Sequence, residues 1–116
     1  MAAPNLISAT TITGSSTGRV LTTATQDIVV ASTSSVYKLN HLLVTNITTG
    51  TVLTNVGFYD AVTSSTYFLL YQATVPANAA VDVLNRPFYL EEGDKITASS
   101  TATSSLHITA SWEIVV

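Results

Sequence analysis

Residues able to do chemistry are sparse in this chain. His41 and His107 are its two imidazoles, and there is no cysteine, which removes disulfides, thiolate metal sites and cysteine nucleophiles together. Neither histidine has the spacing of a zinc site or the company of a triad. Alternation of the flanking residues puts His41 on an apolar face, as a hydrogen-bonded core residue, and His107 on a polar face, exposed or at a contact. Glu91, Glu92 and Asp94 form the one acidic cluster, and they are the candidates for a bound cation such as Ca²⁺. The spacing of an EF-hand is missing. The competing reading is a solvated turn in which Gly93 takes a positive φ and Asp94 bonds to nearby backbone. Asn46-Ile47-Thr48 matches the glycosylation sequon but, without a secretory signal, reads as a strand end. No activated nucleophile or acid–base pair is visible, so neither an enzyme nor a cofactor is expected. Trp112 shares a face with Leu106, Ile108 and Ile114, which predicts a core position and a buried acceptor for its indole N–H. Tyr59, Tyr67, Tyr71 and Tyr89 leave a carbohydrate-binding module as an alternative.

The elements that must position these residues are strands. Residues 1–8 read as a short arm, extended because Pro4 disfavours helix, which is either disordered or docked on a neighbouring subunit through Leu6 and Ile7. From residue 9 to 116 the chain reads as one β domain. Thr10–Thr13 is a first strand, stopped by Gly14-Ser15-Ser16-Thr17-Gly18, and Arg19–Thr22 and Asp27–Ala31 are two more. Val36–Ile47 alternates with Tyr37, Leu39, His41, Leu43, Thr45 and Ile47 on one face and Lys38, Asn40 and Asn46 on the other, although Leu42 and Val44 interrupt the polar face. Val52–Asp60 alternates again after the turn Thr48-Thr49-Gly50, close enough to form a hairpin with it. Tyr67–Val75 is apolar on both faces. Such a strand is either central and covered on both sides or half core and half subunit interface; the second is preferred, with Phe68 and Leu70 as interface residues. Pro76-Ala77-Asn78 makes a corner before Ala80–Leu84 and Phe88–Leu90. In Leu106–Ile114, Leu106, Ile108, Ala110, Trp112 and Ile114 share one face, and His107, Thr109, Ser111 and Glu113 share the other. No period of 3.6 persists, so the fold class is an all-β, single-domain antiparallel β-sandwich, with the jelly roll among the arrangements open to it.

Composition restricts the function classes. A chain of 116 residues is one domain, long enough to build a core without metal or disulfide staples. Charged residues make up 9% of it, against about 25% in ordinary soluble domains, and Ser and Thr take their place. A hydroxyl-rich surface of that kind suits a subunit packed in an assembly. The net charge of -3, with Arg19, Lys38, Arg86 and Lys95 as the basic residues, provides no cluster for a nucleic-acid backbone. No apolar run approaches the roughly 20 residues of a membrane-spanning helix. Met1-Ala2-Ala3-Pro4-Asn5 lacks the basic-then-apolar order of a secretory signal, so synthesis in a cytoplasm is expected.

Four stretches carry a likeness: Met1-Ala2-Ala3-Pro4-Asn5, Ile12-Thr13-Gly14, Val75-Pro76-Ala77 and Tyr89-Leu90-Glu91-Glu92-Gly93-Asp94-Lys95-Ile96. Together they resemble small virion structural proteins of tailed bacteriophages, particularly those infecting cyanobacteria and other aquatic bacteria. The resemblance implies a β-sandwich subunit on the virion, with the major capsid protein or other virion proteins as partners. A capsid decoration, or cement, protein would sit between capsomers as a homo-oligomer, with the trimer favoured, and hold the shell against internal pressure. A neck, tail or fibre-associated subunit is the alternative placement. In either, the arm is the stapling element, able to add a strand to a neighbour's sheet.

Overall fold

The computed structural model describes residues 11–116, which form nine strands and no helix. The arm proposed for residues 1–8, with Leu6 and Ile7, lies outside the described residues. One sheet orders β1 (Ile12–Val20), β9 (Leu106–Val115) and β3 (Val36–Asn46), with β6 (Ala80–Asp82) and β7 (Phe88–Leu90) pairing separate halves of β3. The other orders β2 (Gln26–Val30), β8 (Lys95–Ser100), β4 (Val52–Asp60) and β5 (Ser65–Val75). Every pairing is antiparallel. With β6 and β7 counted as one broken strand, this is the double-sheet arrangement of a jelly roll. The chain crosses between sheets at each connection except the β4–β5 hairpin and the step from β6 to β7.

That crossing corrects the hairpin expected between residues 36–47 and 52–60. β3 and β4 lie in opposite sheets, and Asn46 organises the passage between them. Its side chain is buried; Nδ2 donates to the carbonyls of Gly50 (2.8 Å) and Val75 (3.0 Å), while Oδ1 accepts from the Thr48 N–H (2.9 Å) and hydroxyl (2.7 Å). Sequon Asn46 is therefore a structural clasp whose amide is fully used.

A second correction concerns the start of the chain. Gly14–Gly18 was expected to stop a strand, yet β1 runs through it without a register shift, each residue opposite one of β9. Weak strand propensity of Gly and Ser loses here to a continuous ladder along a ten-residue neighbour.

The third correction is a change of phase in β3. A bulge between Leu39 and His41 inserts one residue, so Tyr37 and Leu39 point inward before it and Leu42, Val44 and Asn46 after it. His41, Leu43 and Thr45 consequently turn outward, and the residues that seemed to interrupt a polar face are core. β9 carries no such shift beyond its partner's, and Leu106, Ile108 and Ala110 are buried as alternation requires. They meet Val56, Val75, Leu90 and Ile96, all fully buried, in a single cluster between the sheets. Each such side chain contributes roughly 1.5–3 kcal/mol relative to an exposed one.

Candidate interaction surfaces

The acidic turn is built as a clasp. Gly93 has φ of 84°, and the Asp94 N–H donates to the Glu91 carbonyl (2.9 Å), closing the turn. Asp94 is 5% exposed, and both carboxylate oxygens are engaged: Oδ2 accepts from the Glu91 N–H (3.0 Å) and Oδ1 from the Ala61 N–H (3.0 Å). The Glu92 carboxylate accepts from the Ser34 N–H across the loop. Gly93 and Asp94 also exchange backbone hydrogen bonds with Ala31. Glu91, Glu92 and Asp94 thus tie the β4–β5 and β2–β3 loops to β8, and among the described residues no group of three acids, histidines or cysteines is arranged to hold a metal.

The histidines stand on the outer face of the β1–β9–β3 sheet. His41 is half-buried there, not in the core as its apparent face implied, because the bulge precedes it. Its Nε2 lies 3.1 Å from Thr109 Oγ1. Among the described residues no carboxylate bonds to the other ring nitrogen, so the arrangement lacks the group that would orient a base. His107 is exposed and pairs with Val20. Beside it, Gly18, Arg19, Val20, Ile108 and Thr109 complete a shallow, open pocket of about 210 Å³. Lys38 and Lys95 are each paired with an acid, Glu113 at 3.9 Å and Asp27 at 3.3 Å. Two of the four basic side chains therefore sit beside an acid.

Trp112 is half-buried and stacked on Tyr37, with centroids 6.1 Å apart and planes 8° from parallel. Among the described residues the acceptor expected for its indole is missing: Nε1 is buried without a hydrogen-bond partner there.

Two long strands remain as open edges. β5 pairs only with β4 among the described residues, and its ladder shifts register twice, between Thr54 and Val56 and between Val56 and Gly57. At the first shift Gln72 takes φ of 48°, and its N–H is held by Asn55 Oδ1 at 2.7 Å. The shifts turn Leu69 and Leu70 toward the core cluster while Tyr67 (54%), Phe68 (54%) and Tyr71 (64%) stay exposed. Phe68 and Tyr71 rest against each other at 4.9 Å, tilted by 60°. Tilted rings make no flat stacking platform for a sugar. Sequence reasoning grouped Phe68 with Leu70; the structure separates them, Phe68 outward and Leu70 half-buried. Gly57 makes the seat for this strand: a Cβ there would lie 2.7 Å from Thr66 Cγ2 and 3.2 Å from Thr97 Oγ1. β1 is the other open edge, regular over its whole length, with Ile12 (65%) and Val20 (46%) exposed near its ends. Sequence reasoning found its two ends as separate strands and missed their continuity, because the Gly/Ser middle has no apolar period to detect.

No protein-family model and no curated protein matches the chain. Solved structures do share its fold. A chain of the Bacillus endospore appendages, a family of disulfide-linked pili, is 16% identical with a TM-score of 0.57, over 90% of this chain and 86% of that one. A chain from the acid-stable capsid of Helicobacter pylori bacteriophage KHP30 is 10% identical with a TM-score of 0.56, over 93% of this chain and 90% of that one. At these identities the likeness is one of fold. The disulfide linkage of the pili has no counterpart here, since this chain has no cysteine.

Proposed function

We propose that the protein is a non-enzymatic structural subunit of a tailed-phage virion, and within it a capsid decoration protein. It binds the shell between capsomers as a homo-oligomer, with the major capsid protein as partner. The observation that carries this reading is the β5 edge. Tyr67, Phe68 and Tyr71 lie exposed on one bulged strand, on a chain of which 9% is charged. Large aromatic side chains are enriched at interface centres and charge is depleted there, so this surface has the chemistry of a contact. Support comes from the fold, shared with chains of a pilus and of a phage capsid, and from the resemblance of the turn and strand motifs to virion proteins.

The test is binding of the purified chain to particles stripped of it, followed by their heat stability. Wild-type protein should bind and raise the temperature at which DNA is released. The Phe68→Ser/Tyr71→Ser double variant should fold and fail to bind. Particle binding unchanged by that substitution would remove the β5 edge from the contact. Density for the subunit at the neck, tail or fibre of intact particles would replace decoration with the alternative placement.

A further inference from the structure

The backbone of β1 has a direction that can be read from its ends. Thr11 and Val116 exchange N–H···O=C hydrogen bonds (3.3 and 3.0 Å), and the Leu21 N–H donates to the Leu106 carbonyl (2.8 Å). Odd-numbered residues therefore face β9, and Ile12, Gly14, Ser16, Gly18 and Val20 turn their N–H and C=O groups to the open edge. Among the described residues nothing pairs with that edge.

We infer that β1 is a homodimerisation strand, pairing antiparallel with β1 of a second copy about a two-fold axis through Ser16. The occupant is identified by the strand itself. Written from both ends, Ile12-Thr13-Gly14-Ser15-Ser16-Thr17-Gly18-Arg19-Val20 nearly repeats: Ile12 falls opposite Val20, Gly14 opposite Gly18, Ser15 opposite Thr17, and Ser16 opposite itself. In that register every outward residue meets an outward residue, so each pair exchanges two hydrogen bonds and no N–H is left facing an N–H. A two-fold contact requires this self-complementarity, and a heterologous partner would not. The apolar side chains agree with it. Ile12 of the second copy comes beside Val20, one wall of the shallow pocket, so two exposed apolar residues cover each other at either end of the ribbon. The glycines in the middle present no side chain to obstruct the approach. Arg19, the strand's single charge, is opposite Thr13, which leaves the two Arg19 residues about 20 Å apart at about 3.4 Å per residue, beyond a screening length of roughly 8 Å.

Strand edges of this kind are normally blunted by shortness, bulges, proline or charge. β2 is short and shifts register between Asp27 and Val29, and β6 and β7 have three residues each. β1 alone among the described edges has none of these defences over most of its length. The pairing would join two five-stranded sheets into one. It does not rest on the virion reading: a dimer that never binds particles leaves it standing, and a monomer that does bind them overturns it alone. A two-fold contact cannot close the expected trimer, for which the β5 edge is the remaining surface.

The experiment is sedimentation equilibrium of the full chain into the high micromolar range. Wild type should be dimeric. Ser16→Lys sets two like charges directly opposite at the axis and should give a monomer that still unfolds cooperatively, at the temperature wild type approaches on dilution. Ser16→Pro should do the same, because the N–H it removes is not used within the subunit; should it fail to fold, Ser16→Lys carries the test. Register is checked by oxidation in the cysteine-free background. Ser16→Cys places two Cα atoms about 5.5 Å apart, within disulfide range, and should cross-link; Gly14→Cys, displaced by four residues from its own copy, should not. A monomeric wild type overturns the inference. So does an oligomer that survives Ser16→Lys but dissociates on removal of residues 1–8 or in Phe68→Ser/Tyr71→Ser, and so does equal cross-linking of the two cysteine variants.

Discussion

The two long edge strands solve the same problem in opposite ways. β5 is anchored by side-chain devices: Gly57 leaves room for Thr66 and Thr97, Asn55 holds the bulged Gln72, and Asp94 grips Ala61 where β4 turns toward β5. β1 has none of these, and its place depends on the ladder to β9. As a result β5 presents side chains to its surroundings and β1 presents backbone. An aromatic surface is specific through shape. A bare edge is specific only through register, and for β1 the register is written in its near-palindrome.

Substitutions can break or sharpen that contrast. The largest effect belongs to Asp94→Ala, which orphans the N–H groups of Glu91 and Ala61. Each donates a hydrogen bond to a carboxylate, a class worth about 1.5–3 kcal/mol, and both are only part-buried, so we expect a loss of about 2–4 kcal/mol in urea unfolding. Gly57→Ala follows, with about 1–3 kcal/mol lost because β-branched Thr66 has little freedom to move aside. Hydrogen exchange should speed up in β5 before β4; uniform exchange would show that the seat does not belong to that edge. Phe68→Ser separates an exposed ring from Tyr71 and should cost about 0.5–1.5 kcal/mol, a small loss beside its effect on particle binding. The smallest effect has the opposite sign. Gly14→Ala meets nothing within 4 Å and should raise stability by up to about 1 kcal/mol through the unfolded state. Equal destabilisation by Gly57→Ala and Gly14→Ala would erase the distinction between the edges.

What the sequence makes legible is local. The turn at Glu91–Asp94 follows from two residues whose backbone preferences are strong, and its positive φ at Gly93 and the Asp94 hydrogen bonds are those expected. β9 reads correctly because alternation persists where a strand has no bulge. β3 does not, since one inserted residue at Asn40 reverses every later side chain, and Leu42 and Val44 were the visible trace of that reversal. His41 was misplaced for the same reason. The β3–β4 hairpin failed on a non-local fact: a link of a few residues fits a hairpin or a sheet crossing equally well, and Asn46 decides between them. The open edges depend on strand order, which no single segment encodes. Phe68 could be singled out as an apolar residue without an obvious place, whereas only the two ends of β1 read as strands and its Gly/Ser middle read as a stop.

The unpartnered indole of Trp112 gives the molecule a built-in optical probe. It is the only tryptophan in the chain, its N–H is shielded from water without an acceptor, and its ring is stacked on Tyr37. Such a chromophore should emit well to the blue of a solvated indole and give a strong near-ultraviolet dichroism. It also lies across the ladder from Ser15, one residue from the inferred two-fold axis. Dilution that separates two copies would therefore change its signal while each subunit stays folded, and a single wavelength would resolve association from unfolding by heat or denaturant.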